Sequence, residues 1–456
     1  MQILPIPRVI LTLANKALPS VRAGRNLAGS WAEMIRIACL CFALLAFFGS
    51  LAMAQTNERT YEELDFRFVT PGARAVGMGK TFVGLADDAT AAYSNPAGLS
   101  NLLEQEVSAE LTGTAIKHHR FIPSNTGETQ QFGDHVWSPS FFSYVLPAHN
   151  FTLSFFGNVL QHYKEHFEFR GRFIDSINAF ENGAFGNTSL LAVNYGMGLS
   201  YLVNPHISIG GSLLATTVAV ETHSRTGTPL HPRSGSDTDD SGTRPGAILG
   251  ILLKPNQKIS IGAVYNTSAT YHMHTILFGL FIQPGPNVDL TGVVKPIDYV
   301  IPDRLSGGLS YRFGDHLTAA FDADWINYSK QITNNFLIFD FMYPESGVTP
   351  KNFFIRDVVE VHGGGEYRFY LKKTTLALRA GVFTDPSHPL RFKDQPGTDP
   401  IAAKVEEFRF NSLPDRTNVG FTLGAGIALS NRFQLDAAGS TSYEADSVVF
   451  SVVVKL

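Results

Sequence analysis

The stretch "TNVGFTLGAGIALS", Thr417 to Ser430, alternates between two kinds of side chain with a period of two residues. One set is apolar and consists of Val419, Phe421, Leu423, Ala425, Ile427 and Leu429. The intervening set is small or polar and consists of Gly420, Thr422, Gly424, Gly426 and Ala428. Successive side chains of a β-strand point to opposite faces of its sheet. The stretch therefore predicts a strand with one apolar face and one face of small and polar groups.

The same alternation recurs along most of the chain. In "HLTAAFDADWINYS", for example, Phe321 and Trp325 alternate with Asp322 and Asp324. We predict fourteen strands, at residues 106–119, 136–147, 151–170, 188–203, 206–224, 244–254, 258–274, 292–313, 316–329, 357–370, 374–384, 417–429, 433–443 and 447–456.

The lengths of the connections distinguish a barrel from a soluble sandwich, which shows the same alternation. Tight turns such as "PAHN" and "GDH" are interleaved with long polar loops such as "TGTPLHPRSGSDTDDSGTR" and "PSHPLRFKDQPGTDPIAAKVEEFRFNSLPD"; only the final "EAD" breaks this rhythm. Outer-membrane barrels have short turns on one side and longer loops on the other, whereas the Greek-key arches of sandwiches do not follow this rule. The predicted fold class is an all-β, transmembrane antiparallel β-barrel of about fourteen strands.

Composition agrees with this fold class and argues against a nucleic-acid-binding protein. The chain of 456 residues has 41 glycines and 35 phenylalanines, only 17% charged residues and a formal net charge of -4. This balance shows no basic excess for nucleic acid. The only two cysteines are Cys39 and Cys41, so a mature chain that starts after them has no disulfide and must be stabilised by barrel closure.

The N-terminus has the pattern of an export signal. Arg36 precedes an apolar run from Ile37 to Phe48, and Ala52-Met53-Ala54 follows as a cleavage site. We predict a signal region at 1–54 with Met34 as the true start, although a membrane anchor is the alternative reading of this run. Export of this kind leads to the outer membrane of a Gram-negative bacterium. The predicted domains are the signal region, an N-terminal segment at 55–105, and the barrel at 106–456.

The segment 55–105 contains "GMGKT", which resembles the end of a phosphate-binding loop. That loop needs a glycine five residues before Gly79, and Arg74 stands there instead. A nucleotide site is therefore excluded. A fourteen-stranded barrel encloses a lumen that needs a plug, and this glycine- and alanine-rich segment is the remaining part of the chain that can supply one.

The residues of this segment resemble a known family. "GARAVGMGKTFVGLADDATAAYSNPAGL", Gly72 to Leu99, is similar to the N-terminal hatch of the FadL family of long-chain fatty-acid and hydrocarbon transporters, except that Thr81 stands where the family has alanine. The resemblance implies passive transport: a hydrophobic molecule enters from outside, reaches an internal pocket, and leaves sideways through the wall when the hatch rearranges. It implies no cofactor and no chemical step.

The resemblance also implies which residues hold the hatch together. These are Arg74, Gly77, Gly79, Asp87, Asp88, Asn95 and Pro96. Aspartate and asparagine side chains can accept from backbone N–H groups in tight turns, and the glycines allow a compact plug to turn tightly. We expect Arg74 to pair with an inward carboxylate, namely Asp322, Asp324, Glu360 or Glu366, because an unpaired buried charge is costly.

Inward cations are the candidates for binding a fatty-acid carboxylate. We select Lys164, Arg170, Arg368 and Arg379; the alternative for each is that it neutralises an inward carboxylate or lies in a loop. Histidine pairs such as His162 and His166 suggest a metal, but Lys164 lies between them, so we predict no metal site. No "GxSxG" motif of a hydrolase is present, so we predict no enzyme.

The expected partners are a hydrophobic small molecule, outer-membrane lipids and the barrel assembly machinery, and we expect a monomer. A rival prediction is a PorV-like barrel that holds or shuttles a protein, because "GARAVGMG" and "NPAGL" also fit that class. A transporter should have a kink or gap in a strand beside the hatch and an apolar pocket. A shuttle should instead have long ordered loops over its mouth and no such pocket.

Overall fold

A computed structural model shows one closed antiparallel barrel. It describes residues 66–121, 129–132, 134–169, 172–174, 179–181, 184–228, 231–281, 288–289, 292–336, 346–411, 415–429 and 432–456. The predicted signal region and residues 55–65 lie outside the described residues. The prediction of fourteen spanning strands is confirmed by the strand order. The barrel is closed, because the first strand pairs with both the second and the last.

The strands follow one another around the barrel in chain order. They are β1 (Glu106–Ile116), β2 (His135–Ala148), β3 (Phe151–Phe169), β4 (Ala184–Asn204), β5 (Ile207–Thr228), β6 (His231–Leu253), β7 (Ile259–Asn266 and Ala269–Phe281), β8 (Val293–Ile301 and Arg304–Phe313), β9 (Leu317–Ile326), β10 (Val358–Leu371), β11 (Thr374–Pro386), β12 (Thr417–Leu429), β13 (Phe433–Thr441) and β14 (Ala445–Lys455). Short strands pair in the connections: His118–Phe121 with Thr129–Phe132, Arg172–Ile174 with Ala179–Glu181, and Phe353–Phe354 with Arg391–Phe392, while Val288–Asp289 pairs with the end of β7.

Two predicted loops are wrong. The stretch 226–244 is not a long loop, because β5 and β6 continue through it in one paired ladder. The alternation of the sequence does not reveal these strands, because their residues are polar and form no lipid-facing apolar row. The loop 386–415 contains a helix, α3 (Pro400–Asn411), in addition to its short strand. Asp399 Oδ1 accepts from the N–H groups of Ile401 at 2.9 Å and Ala402 at 3.0 Å, which caps the start of this helix.

The two faces of the wall have the chemistry that the alternation predicts. On β12, Phe421 and Leu423 are 60% and 71% exposed, whereas Thr422 is buried. On β11, Leu378 is exposed and Arg379 is buried. An apolar outer surface over a polar interior is the arrangement of a barrel that contacts lipid. Among the described residues, the structure contains no helix of the length and hydropathy needed to cross a bilayer.

Among the described residues, the ladder of the wall has two long interruptions, and a short one where residues 358–361 of β10 and 384–386 of β11 do not pair. Strands β2 and β3 pair from Phe141 and Asn158 towards their turn, but not between residues 135–140 and 159–169. At this point β3 carries a bulge at Leu160, where its register with β4 shifts. Strands β6 and β7 pair at both ends but not between residues 238–246 and 268–275.

Candidate functional site

Residues 66–105, which we call the plug segment, lie largely inside the barrel. The segment has little regular structure: α1 (Ala73–Gly77), α2 (Ala91–Ser94) and one 3₁₀ helix (Pro96–Asn101). Its side chains from residue 71 to residue 99 are buried except at Lys80, Asp87 and Asp88, which are half-buried. Its polar groups contact inward residues of many strands, which places the segment inside the wall.

Arg74 is the centre of the main charged contact between the plug segment and the wall. Its Nε donates to Glu366 Oε2 at 3.0 Å, and its Nη1 donates to Asp87 Oδ1 at 2.5 Å. Glu366 is one of the four carboxylates expected as its partner, and it also accepts from Arg379 Nε at 2.7 Å. Burial alone lowers the pKa of Arg74, but Asp87, Glu366 and Asp88 together raise it well above its usual value. The guanidinium is therefore a permanent positive charge inside the barrel.

Asp88 and Asn95 hold the turns of the plug segment. Asp88 Oδ1 accepts from the Thr90 N–H at 3.0 Å and the Thr90 hydroxyl at 2.6 Å, and burial raises the pKa of this carboxyl. Asn95 Nδ2 donates to Val83 O at 2.9 Å and Ile251 O at 3.2 Å, while its Oδ1 accepts from Ala97 N. Asn95 thus joins two parts of the plug segment to β6.

Pro96 begins the 3₁₀ helix that follows Asn95, where its missing N–H costs nothing. Two further residues of the predicted hatch set are glycines against the wall. Gly79 has φ +74, and a Cβ there would lie 2.4 Å from Gly363 O, while a Cβ on Gly77 would lie 3.1 Å from the Cα of Gly424. Side chains at either position would push the plug segment off the wall.

A cavity of about 180 Å³ lies between the plug segment and the wall. Its apolar lining includes Phe68, Val76 and Phe383, and Lys80 lies at the same cavity. The Lys80 ammonium is 3.8 Å from the centre of the Phe383 ring. Among the described residues it donates no hydrogen bond and forms no ion pair within 4.0 Å.

Burial lowers the pKa of Lys80, and Asp385 and Glu360 offset this effect only in part. The cavity therefore combines apolar surface with an ammonium group that has no hydrogen-bond acceptor within the part of the chain that the structure describes. Lys80 was not selected from the sequence as a ligand-binding cation, because the residue was considered only as part of the rejected phosphate-loop motif. Its left-handed backbone, with φ 69, turns the chain sharply beside Gly79. A lysine next to a glycine turn in the sequence was the available signal for a cation at this position.

The cavity reaches the interruption between β2 and β3. Gln161, His162 and Tyr163, which follow the bulge, line it. The bulged residue Leu160 accepts from the N–H of Val69 in the plug segment at 3.0 Å. The plug segment, the cavity and the break in the wall are thus adjacent.

None of the three described ligand cations, Lys164, Arg368 and Arg379, lines this cavity. Lys164 is exposed, and its expected inward orientation is wrong because the bulge at Leu160 inverts which residues of β3 face inward. Arg368 and Arg379 both pair with Glu366, at 2.6 Å and 2.7 Å, and Arg379 also pairs with Asp436. Arg170 lies outside the described residues. The two described arginines fit the alternative, which is neutralisation of inward carboxylates.

Comparison with known proteins identifies the family. The family model "Outer membrane protein transport protein (OMPP1/FadL/TodX)" matches residues 68–451. The chain belongs to this family. Members of the OMPP1/FadL/TodX family are outer-membrane channels that transport hydrophobic compounds, and they are not enzymes. The resemblance noted from the hatch residues is thereby confirmed.

Solved structures of low sequence identity share the fold. A Pseudomonas aeruginosa FadL homologue is 16% identical with a TM-score of 0.61, over 86% of this chain and 99% of that one. The P. putida toluene transporter TodX is 15% identical with a TM-score of 0.57, over 86% and 99%. The Ralstonia pickettii toluene transporter TbuX is 15% identical with a TM-score of 0.56, over 86% and 100%. No curated protein matches by sequence.

Proposed function

We propose that this OMPP1/FadL/TodX family member carries long-chain fatty acids or hydrocarbons across the outer membrane by passive diffusion, with exit through its wall. The observation that carries the proposal is the cavity beside Lys80, which lies next to the break between β2 and β3. The lining of this cavity is partly apolar and partly polar, and a pocket that joins apolar walls to polar groups that orient the ligand is typical of a binding site for a small hydrophobic ligand.

Lys80 is our candidate contact for a carboxylate head. A fatty acid could place its chain on Phe68, Val76 and Phe383 and its carboxylate on the ammonium, which has no hydrogen-bond acceptor among the described residues. A charge-assisted hydrogen bond contributes about 1.5–3 kcal/mol. A hydrocarbon would use the same walls without this contact.

The exit that we propose is the gap between residues 135–140 and 159–169. The bulge at Leu160 bends β3 at the point where the plug segment contacts it through Val69. Movement of the plug segment would therefore act directly on the edge of the gap. The other gap, between β6 and β7, is covered from within by Tyr271, whose hydroxyl donates to Thr216 O across β6 at 3.0 Å.

The rival function, a PorV-like protein shuttle, has one feature in its favour. The connections 346–357 and 387–411 pack together through Phe353, Phe392 and Phe410. The cavity and the bulge beside the plug segment are the features expected of a transporter, and they support our choice. We further expect a monomer that is exported with 1–54 as its signal and inserted by the barrel assembly machinery.

Uptake of labelled oleate and of toluene by cells that make the protein, compared with cells that do not, tests the proposal. We expect uptake of at least one of them to rise, and Asn95→Ala to reduce it because the plug segment loses its contact with β6. Equal uptake with and without the protein would refute transport of both classes.

A matched pair of lysine variants tests the head-group contact. Lys80→Met should weaken oleate binding to the purified protein roughly tenfold or more, in line with the loss of one charge-assisted bond, and should leave toluene binding unchanged. Lys372→Met, in an exposed turn, is the control. If the two variants bind oleate equally well, Lys80 does not contact the head group.

A further inference from the structure

His362 of β10 is oriented like a metal ligand. Its Nδ1 lies 3.1 Å from the backbone oxygen of Gly79, so that nitrogen carries the hydrogen and donates it. The opposite nitrogen, Nε2, is buried without a hydrogen-bond partner among the described residues. A histidine that binds a metal commonly donates its other ring N–H to a carbonyl in this way, which fixes the ring and its tautomer.

Two carboxylates face this nitrogen. Nε2 is 3.6 Å from Glu360 Oε2 and 3.7 Å from Asp324 Oδ2, so neither oxygen is within hydrogen-bonding distance. One ligand atom from each of the three residues lies within 4.8 Å of the others. Two ligands of a tetrahedral zinc ion are about 3.4 Å apart, so small side-chain rotations would bring all three onto one ion.

We propose that Asp324, Glu360 and His362 bind a divalent transition-metal ion, for which Zn²⁺ is the best chemical match. One imidazole nitrogen with two carboxylate oxygens suits zinc better than calcium or magnesium, which prefer oxygen ligands alone. His362 is 4% exposed, and Asp324 Oδ1 is also buried without a partner among the described residues. All three residues line the cavity beside Lys80, which provides an entry path and a fourth coordination position.

The neighbouring residues Arg304 and Asp322 affect which oxygens are available to the ion. Arg304 Nη1 lies 3.7 Å from Asp324 Oδ2, which is beyond hydrogen-bonding distance, and Oδ1 of the same carboxylate is buried without a hydrogen-bond partner among the described residues. Asp322 Oδ2 accepts from the N–H groups of Phe82 and Val83 at 2.6 Å and 2.8 Å, so this oxygen is not available to an ion. Since His362 holds the Gly79 carbonyl, a bound ion would join β9, β10 and the plug segment at one point.

The test uses the full mature protein in detergent, stripped with EDTA, dialysed, and titrated with Zn²⁺ in a calorimeter. Co²⁺ is used in parallel, since its visible spectrum reports tetrahedral nitrogen and oxygen ligands. The main variant is His362→Asn, whose amide retains a donor near the Gly79 carbonyl but lacks the second nitrogen. Glu360→Gln removes one carboxylate. His162→Asn changes another histidine of the same cavity and is the control.

We expect one Zn²⁺ per chain, with affinity at least about tenfold lower in His362→Asn and Glu360→Gln and unchanged in His162→Asn. Heat-modifiable migration on a gel verifies that each variant has a folded barrel. Absence of stoichiometric Zn²⁺ binding by the wild-type protein, or equal binding by the folded His362→Asn variant, would overturn the site. In that case the imidazole is a protonated partner of the two carboxylates.

Discussion

The charge of Lys80 is the feature by which we expect the protein to distinguish a fatty acid from a hydrocarbon. Burial lowers its pKa below the ordinary value of 10.5, and a lysine is charged only below its pKa. As the pH rises through the lowered pKa, the ammonium becomes neutral while the carboxylate of oleate stays ionised. We therefore expect oleate affinity to fall at a pH below 10.5 and toluene affinity to stay constant.

The measurement is a binding titration of both ligands across the alkaline range. Lys80→Arg is the matched variant, because its guanidinium stays protonated throughout and its oleate affinity should not follow the same curve. Identical pH profiles for the wild-type protein and this variant would assign the pH effect to another group.

Glu366 is the residue on which the charge balance of the lumen depends most. Its carboxylate is fully buried and contacts three guanidiniums, those of Arg74, Arg368 and Arg379. Glu366→Gln leaves these cations without their shared acceptor, and breaking a buried pair on one side costs roughly 3–5 kcal/mol. We expect a much lower urea midpoint in lipid vesicles, followed by tryptophan fluorescence. Arg368→Gln, which removes the most exposed of the three partners, should have a smaller effect; an equal loss would contradict this ranking.

At the scale of the strand, the bulge at Leu160 is the feature that we connect with exit. Deletion of Leu160 brings Gln161 into register after Val159, so β3 keeps its pairing with β4 and becomes straight. We expect the upper part of β3 to pair with β2, the gap to close, and uptake to fall to the level of cells without the protein. Leu160→Ala keeps the backbone bulge and should transport normally. If the deletion variant folds and still transports, exit occurs elsewhere, and the gap between β6 and β7 becomes the next site to test.

The strands also show what the sequence could and could not predict. Alternation located all fourteen, because a lipid-facing row needs apolar residues at every second position. It failed on residues 226–244, where both faces are polar, and at Lys164, because a single extra residue reverses the facing of every residue beyond it. The partner of Arg74 in the wall could be narrowed to four carboxylates but not to Glu366, since the alternation gives the face of a residue and not its height along the barrel. Its partner Asp87 in the plug segment was not predicted.

The plug segment depends on the wall as a whole, and the wall has glycines where the plug backbone touches it. A Cβ on Gly364 would lie 2.2 Å from Met78 O, and one on Gly381 would lie 2.2 Å from Gly79 N. Both glycines are at inward positions, Gly364 on β10 and Gly381 on β11. The contact with the plug segment therefore restricts inward residues of the wall to glycine here, just as contact with lipid requires apolar residues on its outer face. The sequence showed 41 glycines but not which of them face the plug.

Removal of residues 66–105 tests whether the plug segment closes the lumen. Fourteen strands enclose a space that is wide enough to conduct ions unless it is filled, and the buried side chains of this segment lie in it. In planar bilayers we expect little steady current from the wild-type protein and a large steady conductance from the shortened one. Gly364→Ala, which forces the plug away from β10, should give an intermediate level, whereas Gly363→Ala, with nothing within 4 Å of its Cβ, should behave as the wild type. If the shortened barrel is folded and still does not conduct, its lumen is closed by the wall and loops, and rearrangement of the plug segment cannot be the step that admits the ligand.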